Sequence, residues 1–334
     1  MKGSENTLSR KSEVSPTLVV IFFMFTFAFV FTLNNSSSSN VVLAQTESYS
    51  FLSTWGSQGS GEGQFEGLND VHEMNGFVYV PDYDNNRIQK FTPDGEFITS
   101  WGTKGSENGQ FERPHSVAMD AEGNIYVTDK SNYRIQKFTP DGEFITSWGT
   151  KGSENGQFLH PHGIAVDAKR GYVYADDATN MNIQKFDLNG TFITKWGSDG
   201  SNQGQISKPE SLAVDSQGNV YVSDLGNNRI QKFTPDGEFI TSWGIEGEGD
   251  GQFDAPAGID IDKQDRVFIT DRGNSRIQVF DSNGTFITKW GSPGTENGQF
   301  ARPEGINVDP SGNVYVADTN NARVQKFAPT NLQQ

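Results

Sequence analysis

One unit of about 47 residues recurs six times along the sequence, and this repetition constrains the fold more than any other feature. Each tryptophan is followed by glycine, and successive Trp-Gly pairs are 46 to 48 residues apart. The tryptophans are Trp55, Trp101, Trp148, Trp196, Trp243 and Trp290. A period of this length, without helical periodicity inside the repeat, is typical of a β-propeller with one blade per repeat.

A single repeat contains enough strands for one blade. The segment from Gly109 to Gly149 has four runs of β-type residues, which are HSVAMD, NIYVTD, RIQKF and EFITSW. Turn-forming residues separate these runs, as AEG, SN and TPDG. Four short strands joined by tight turns make one blade. We therefore expect an all-β fold, a six-bladed β-propeller of four-stranded antiparallel blades.

The two ends of the repeat region complement each other. After Gln299, which opens the sixth repeat, only three predicted strands remain, and the last of them ends at Phe327. The missing fourth strand lies at the other end, from Ser50 to Trp55, ahead of the first full repeat. We expect this N-terminal strand to complete the last blade and close the ring, since closure leaves no exposed blade edge.

The composition is that of an acidic globular protein with a large aromatic core. Apolar residues make up 34% of the chain, which also has 37 Gly, 25 Phe and a formal net charge of −16. The absence of cysteine excludes disulfide scaffolds, thiol nucleophiles and cysteine-ligated zinc. The negative charge argues against nucleic acid as a partner, because phosphate is bound by Lys and Arg.

The N-terminus has the pattern of a targeting segment. Residues 17–33 carry no charge, and Lys2, Arg10 and Lys11 precede them. This pattern predicts a hydrophobic helix outside the fold, either a signal peptide cleaved after Ala44 or a retained membrane anchor. Residues 1–44 then form the signal or anchor with its polar linker, and residues 45–334 form the propeller. Both alternatives predict export, with the propeller secreted or anchored to the outer face of the cell membrane.

The repeat pattern resembles that of a known family. The pattern P-x-G-[IV]-x-V-D, then G-N-[VI]-Y-V-x-D, then N-x-R-[IV]-Q-K-F, is similar to the NHL repeat and extends over residues 50–327. The first repeat departs from it, because GLNDVHEMNGFVYV lacks the proline and is one residue shorter. The resemblance implies a six-bladed propeller whose loop faces bind a protein, peptide or glycan.

Residues that recur in every repeat are interpreted as scaffold, and residues that differ between repeats as the candidate site. The recurring acids are Asp82, Asp129, Asp177, Asp224, Asp271 and Asp318, followed three residues later by Asn85, Asn132, Asn180, Asn227, Asn274 and Asn321. Arginine follows at Arg87, Arg134, Arg229, Arg276 and Arg323, with Asn182 in its place in the third repeat. We interpret these residues as turn locks with partner charges.

The residue that opens the innermost strand differs from blade to blade. In order, these residues are Asn69, His115, His162, Glu210, Ala257 and Glu304. In a propeller they would ring one mouth of the central channel. His115, His162 and Glu210 on adjacent blades are typical of a divalent-metal site, with zinc as the candidate ion. Glu304 lies three blades from His162, where it could add a ligand or act as a base.

Loops between the second and third strands should reach the same mouth. They contribute Lys130 and Tyr133 from the blade of His115, and Arg272 from the blade of Ala257. The predicted ligand-binding set is Asn69, His115, His162, Glu210, Glu304, Lys130, Tyr133 and Arg272. The opposite mouth carries repeated TPDG or NG turns, and we expect it to be uniform.

Two classes of function follow, and whether the chain is an enzyme stays open. The first is an exported binding or interaction module, since the sequence has no nucleophile elbow, HExxH motif or phosphate-binding loop. The alternative is a metal-dependent lyase or hydrolase at the His/His/Glu mouth, with Tyr133 or Glu304 moving a proton. No catalytic residue is assigned. We expect a monomer that contacts a membrane only through the N-terminal segment.

Resemblances to two enzyme groups bear on the alternative. NHL-type amidating lyases hold zinc with three histidines, and here only His115 and His162 match, with Glu210 in place of the third. Sugar-lactonase propellers use Glu, Asn and Asp ligands, for which Glu210, Glu304 and Asn69 are candidates. A third class, RNA binding as in animal NHL proteins, requires a basic face that this acidic chain lacks.

Overall fold

A computed structural model describes residues 48–330 of the chain. The chain divides into two units, Met1–Ala44 and Gln45–Gln334, and the described residues all belong to the second. The predicted signal or anchor therefore lies outside the described residues. Within residues 48–330, no helix is both long and apolar enough to cross a membrane.

The described residues form six four-stranded antiparallel sheets, as the repeat predicts. Blade 1 consists of β2 His72–Met74, β3 Phe77–Asp82, β4 Arg87–Phe91 and β5 Phe97–Trp101. Blade 2 consists of β6 Pro114–Met119, β7 Ile125–Asp129, β8 Arg134–Phe138 and β9 Phe144–Trp148. Blade 3 consists of β10 Pro161–Asp167, β11 Tyr172–Asp177, β12 Asn182–Asp187 and β13 Phe192–Trp196.

The remaining blades repeat this order. Blade 4 consists of β14 Pro209–Val214, β15 Val220–Asp224, β16 Arg229–Phe233 and β17 Phe239–Trp243. Blade 5 consists of β18 Pro256–Ile261, β19 Val267–Asp271, β20 Arg276–Phe280 and β21 Phe286–Trp290. Blade 6 consists of β22 Pro303–Val308, β23 Val314–Asp318, β24 Arg323–Thr330 and β1 Ser48–Trp55. Single 3₁₀ turns, Lys130–Asn132, Leu225–Asn227 and Thr319–Asn321, follow the second strands of blades 2, 4 and 6.

Strand β1 closes the ring, which confirms the prediction from the two ends of the repeat region. It pairs antiparallel with β24 from Ser48↔Thr330 to Trp55↔Val324. The outermost strand of blade 6 therefore comes from the start of the propeller region, and the other three strands come from its end. This closure joins residues about 270–280 positions apart in sequence.

Each Trp-Gly repeat packs one blade on the next. The ring of Trp101 lies against Gly142, in the hairpin of the following blade, and makes edge contacts with Tyr79 at 6.2 Å. A Cβ atom on Gly142 would lie 2.7 Å from Trp101, closer than packed atoms tolerate. Five of the six tryptophans meet a hairpin glycine in this way. The recurrence of Trp and Gly therefore reflects packing between blades.

We predict that Gly142→Ala destabilises the propeller by about 1–3 kcal/mol more than Gly109→Ala, the cost of overpacking a dense core. Both glycines have a positive φ, +85° and +80°, so alanine strains both backbones similarly. A Cβ atom on Gly109 meets nothing within 4 Å. Urea unfolding of both variants measures the difference, and equal losses would show that Trp101 does not set it.

A buried hydrogen-bond network explains the recurring Asp, Asn, Arg and Gln. The carboxylate of Asp129 is fully buried and accepts hydrogen bonds from Asn132 Nδ2 at 2.9 Å, Arg134 Nε at 2.8 Å and Gln136 Nε2 at 3.1 Å. Its other oxygen accepts from the backbone N–H of Glu112 at 2.8 Å. The carboxylate thus ties the inter-blade loop to two strands, as expected of a turn lock.

Candidate functional site

A proline and a β-bulge orient the variable residues of the innermost strands toward the channel. In blades 2 to 6 the innermost strand begins at proline, which pairs with the recurring Asp, as Pro114 does with Asp129. The pairing register then shifts before Val117, so His115 and Ser116 leave the regular ladder. A bulge bends its strand and re-aims the side chains in it. Blade 1 lacks the proline and makes only an isolated bridge from Leu68 to Asp82.

The variable residues meet at one mouth of the channel. A cavity of about 440 Å³, here called the mouth cavity, is lined by six of the predicted site residues. These six are Asn69, His115, Lys130, His162, Glu210 and Glu304. The lining also includes Tyr83 and Asp84, from the blade 1 loop, and Arg302, directly before Pro303. The structure thus brings together residues that are as far as 235 positions apart in sequence.

Two neighbouring histidines, with ring planes tilted by 34°, line the mouth cavity. The rings of His115 and His162 lie with their centroids 3.5 Å apart, and both side chains are buried. His162 Nδ1 lies 3.2 Å from the backbone oxygen of Glu210 and 3.6 Å from its carboxylate. His162 Nε2 lies 3.3 Å from Lys130 Nζ. Because the ammonium can only donate, this network assigns the Nδ1–H tautomer to His162.

Both histidines are neutral at neutral pH. Burial lowers the pKa of His162 to about 3, and the Lys130 charge lowers it further. Burial also holds the pKa of His115 well below its usual value, again with the charge of Lys130 acting in the same direction. The mouth cavity therefore holds two neutral imidazoles and no imidazolium charge.

The carboxylates opposite the histidines are held by arginines. Arg272 lies 3.2 Å from Glu304 and 3.8 Å from Glu210, and so bridges the two acids. Arg302 Nε lies 2.7 Å from Glu304. Burial raises the pKa of both glutamates, while Arg272 opposes this change. Arg272, expected at this mouth from the blade of Ala257, does not itself line the mouth cavity, but its contacts with Glu210 and Glu304 connect blades 4, 5 and 6.

Lys130 differs from the other cations of the mouth cavity. Among residues 48–330, no carboxylate lies within ion-pair distance of its ammonium group. Its contacts are His162 Nε2 at 3.3 Å and the ring of Tyr83, whose centroid lies at 5.0 Å. A cation held against neutral groups at the wall of a cavity is suited to an anionic ligand group.

Tyr133 is the predicted site residue that the structure places apart from the others. It does not line the mouth cavity, and its ring lies under Lys151 Nζ at 4.9 Å while packing on the core between blades 2 and 3. Its φ of +58° ends the short turn that begins at Lys130. The structure thus gives this residue packing contacts.

A metal ion is compatible with part of this arrangement. His115, His162 and Glu210 each offer one ligand atom within 4.8 Å of the others. His115 Nδ1 is buried without a partner among residues 48–330, and a free imidazole nitrogen is what a divalent ion needs. The donor types therefore fit zinc. The ammonium of Lys130 opposes a second cation beside His162, so it would have to turn away on metal binding.

Asp176, a buried acid behind His162, was not predicted from the sequence. Its carboxyl accepts a hydrogen bond from the backbone N–H of Gly163 at 3.2 Å, and its other oxygen has no partner among the described residues. Burial raises its pKa well above the usual value. In blades 2 and 5 the equivalent residues are Thr128 and Thr270, which donate to the next blade. Comparison across repeats would have identified this acid as the exception.

We predict that Asp176→Thr stabilises the protein by about 1–3 kcal/mol, the cost of burying a polar group without its partner. A threonine there can donate to the Glu210 backbone oxygen, as Thr128 does to that of His162 at 2.8 Å. Thermal unfolding compares the variant with the parent chain, and Thr128→Asp is the matched reverse change, expected to destabilise. A lower melting temperature for Asp176→Thr would contradict this interpretation.

Comparison with known proteins agrees with the repeat. The NHL repeat model matches residues 111–138, 207–233, 253–280 and 300–327, which lie in blades 2, 4, 5 and 6. No curated protein matches the chain in sequence. The matched segments run from the end of the inter-blade loop through the third strand, and so contain the variable mouth position and the recurring Asp.

Solved structures share the fold at low sequence identity. A streptogramin B lyase is 16% identical with a TM-score of 0.58, covering 79% of this chain and 94% of the lyase. A gluconolactonase from Xanthomonas campestris is 13% identical with a TM-score of 0.59, covering 80% and 88%. A chain of a nidogen/laminin complex is 19% identical with a TM-score of 0.54, covering 75% and 84%. These likenesses concern the fold alone. The chain is therefore a six-bladed propeller in which four of the blades match the NHL repeat.

Proposed function

We propose that the protein is an exported binding module whose mouth cavity takes a carboxylate-bearing ligand, on a peptide or a glycan. The observation that carries this proposal is Lys130, a cation in a cavity of about 440 Å³ with neutral groups as its neighbours. The other cations, Arg272 and Arg302, already pair with Glu304. The charge of Lys130 acts on the nearby acids Glu210 and Asp176 without pairing with either, so a ligand carboxylate at Lys130 displaces no ion pair.

The distribution of variable residues supports a ligand site at this end of the channel. The six equivalent mouth positions carry four different residue types, whereas the core positions between them repeat. A scaffold role needs the same residue in each blade, so the differences point to recognition. The nidogen/laminin complex is a protein assembly that contains a similar propeller, and it supports a role in interaction by fold alone.

Export rests on the N-terminal sequence. Residues 17–33 are uncharged and follow three basic residues, which is the pattern of a signal peptide or membrane anchor. Fractionation of producing cells with N-terminal sequencing tests this part of the proposal. A mature chain that starts at Gln45, or an intact chain in the membrane fraction, supports export. A full-length chain in the cytosol refutes it.

Substitution of Lys130 tests the binding proposal. Lys130→Met keeps the length of the side chain and removes its charge, so binding of N-acetyl-dialanine or glucuronate should weaken roughly ten-fold to a hundred-fold, the worth of a charged hydrogen bond. Lys104→Met, at an exposed lysine outside the mouth cavity, is the matched control. Calorimetry measures both, with the uncharged dipeptide amide and glucose as reference ligands.

The outcome also separates the two ligand classes. Tighter binding of the peptide carboxylate indicates a peptide ligand, and tighter binding of glucuronate indicates a glycan. Equal affinity for each acid and its uncharged reference, or equal affinity of the parent chain and Lys130→Met, would refute recognition of a carboxylate.

A metal-dependent lyase or hydrolase is the second candidate, favoured by the cluster of His115, His162 and Glu210 within 4.8 Å. These three residues would hold the ion, which when bound polarises a carbonyl group or activates water. Glu304 faces them across the mouth cavity, and burial raises its pKa, which suits a group that holds a proton. Similar propellers include a lyase and a lactonase, which supports this candidate by fold alone.

Elemental analysis tests this second candidate. Residues 45–334 are purified with zinc, manganese and iron supplied and then dialysed gently, beside the double variant His115→Ala/His162→Ala. About one ion per chain, lost in the variant, supports a metal site and justifies a screen of lyase and hydrolase substrates. An ion content equal in both chains refutes it.

A further inference from the structure

The opposite end of the channel contains a second cavity, of about 240 Å³, here called the lower cavity. A narrow waist separates it from the mouth cavity, where the space is only about 10 Å³. Glycine at two positions lets the backbones of neighbouring blades approach closely at this waist. A Cβ atom on Gly258 would lie 2.3 Å from the Glu304 backbone oxygen, and one on Gly305 would lie 2.5 Å from Asp70. The two cavities are therefore distinct sites.

The lower cavity has a ring of equivalent positions of its own. Each member lies three residues after a mouth position and pairs with the same position of the second strand, as Ala118 does with Tyr126. In blade order the ring is His72, Ala118, Ala165, Ala213, Asp260 and Asn307. Blades 5, 6 and 1 thus contribute polar residues, and blades 2, 3 and 4 contribute alanine. The cavity has one polar wall and one apolar wall.

Hydrogen bonds fix the polar wall. Asn307 Nδ2 donates to Asp260 Oδ2 at 2.9 Å and lies 3.4 Å from His72 Nδ1. The backbone N–H of Val308 donates to the same Asp260 oxygen at 2.7 Å, and that of Glu73 donates to Asn307 Oδ1 at 2.8 Å. Three blades therefore hold these groups in one arrangement without a ligand.

Two polar atoms of this wall have no partner. Glu73 is 8% exposed, and its Oε1 accepts from Gly76 at 2.9 Å while its buried Oε2 has no partner among residues 48–330. His72 Nε2 is buried and likewise without a partner within that range. Both residues line the lower cavity. Buried polar groups are nearly always hydrogen-bonded, so Glu73 Oε2 marks a place for a further donor, from water or from a ligand. His72 Nε2 carries the ring proton, because Nδ1 faces the Asn307 amide, and so it needs an acceptor.

The charged residues that line the lower cavity are all acids. Its acids are Asp70, Glu73 and Asp260, and among the described residues no lysine or arginine lines the cavity. Burial raises the pKa of Asp260 to about 7 and that of Asp70 to about 6, and the charge of Asp70 raises the pKa of Asp260. A cation among these carboxyls would remove this cost, because it stabilises their charged forms.

We propose that the lower cavity binds a small aliphatic amine. Its ammonium group donates to Glu73 Oε2 and Asp260, and its alkyl chain lies along the alanine wall and the aliphatic residues beside it, such as Ile164 and Leu212. An ammonium group has three donors and no acceptor, which matches a wall of carboxylate acceptors. The site differs from the mouth cavity in position and in charge, and it does not depend on the function proposed there.

Calorimetric titration with n-butylamine hydrochloride tests the proposal. The parent chain should bind n-butylamine, while n-butanol and sodium butyrate, which have the same alkyl chain without the cation, should bind at least ten-fold more weakly. Asp260→Asn and Glu73→Gln should each weaken binding roughly ten-fold to a hundred-fold, as loss of a charged hydrogen bond does. Lys104→Met, at an exposed lysine that lines neither cavity, is the control and should leave the affinity unchanged.

An additional measurement requires no variant. The imidazole signals of His72 should shift on addition of n-butylamine, because this histidine lines the lower cavity. Nα-acetyl-lysine amide distinguishes a free amine from a lysine side chain of a peptide. It presents the same butylammonium group as n-butylamine, attached to a bulkier amino-acid backbone. No binding of n-butylamine, equal binding of butyrate, or undiminished binding by both acid variants would each overturn the proposal.

Discussion

A chain that begins at Ser57, and so lacks strand β1, is expected to lose the single cooperative unfolding transition of the chain from Gln45 to Gln334. The lost strand carries three aromatic residues that contact blade 6 and its two neighbours. Tyr49 stacks on Trp290 at 4.4 Å, and Phe51 and Trp55 meet Phe327 and Tyr315 at 6.1 and 6.2 Å.

The size of the effect follows from these contacts and from the ladder. Burial of an aromatic side chain is worth roughly 1.5–3 kcal/mol when complete, and aromatic pairs add about 0.5–1.5 kcal/mol each. Half-buried as they are, the three rings still contribute several kcal/mol, against a typical stability of about 5–15 kcal/mol. Deletion also exposes the edge of β24, which recruits other chains. We therefore expect an unfolded or aggregated product.

A circular permutant is the matched control. Residues 48–56 joined after Thr330 by a short Gly-Ser linker restore the same strand from the other end, since Ser48 pairs with Thr330. Calorimetry and light scattering should show that the permutant melts cooperatively as a monomer. A truncated chain that melts like the parent, also as a monomer, would contradict the closure.

Loss of one turn-lock carboxylate is the second large effect. Asp129→Ala should destabilise the protein by about 3–5 kcal/mol, the cost of leaving a buried charge without its partner. Arg134, whose side chain is 12% exposed, would lose the carboxylate with which it pairs, and Asn132 and Gln136 would lose an acceptor. Guanidinium unfolding measures the loss.

Blade 3 supplies the control for this prediction. There Asn182 replaces the arginine, and Asp177 is still held by Leu159 N–H at 2.7 Å and Asn180 Nδ2 at 2.8 Å. Arg134→Asn copies this natural arrangement and should cost less than half of what Asp129→Ala costs. A larger loss for Arg134→Asn would show that the arginine, and not the carboxylate, is the centre of the network.

The sequence predicted most of the fold because the repeat states the same structure six times. Trp-Gly spacing, turn residues and the incomplete last repeat gave the blade number, the strands and the closure by β1. The mouth residues were also predicted, since a position that varies within a repeated frame is visible without a structure. Lys130 lines the mouth cavity and Arg272 contacts two of its acids, whereas a role of either residue in ligand binding stays a prediction.

The features of the site that could not be predicted from the sequence depend on contacts between distant blades. That Lys130 meets His162, or that Arg272 bridges two glutamates, requires the relative positions of side chains. The opposite end was expected to be uniform from its turns, and this was wrong for the interior. Asp260 and Asn307 lie on the innermost strands, further inside than the turns, and face alanines across the lower cavity. Only the register of strand pairing shows this.

Imidazole NMR of the parent chain during titration with N-acetyl-dialanine is the test of whether the mouth cavity binds a carboxylate. The chain has four histidines, of which His115 and His162 line the mouth cavity and His72 lines the lower cavity. We expect the carboxylate to draw Lys130 away from His162 Nε2. The imidazole signals of His162 should therefore shift, while those of His72 stay in place. His162 signals that stay fixed at millimolar ligand, or a response confined to His72, would contradict a carboxylate site at the mouth.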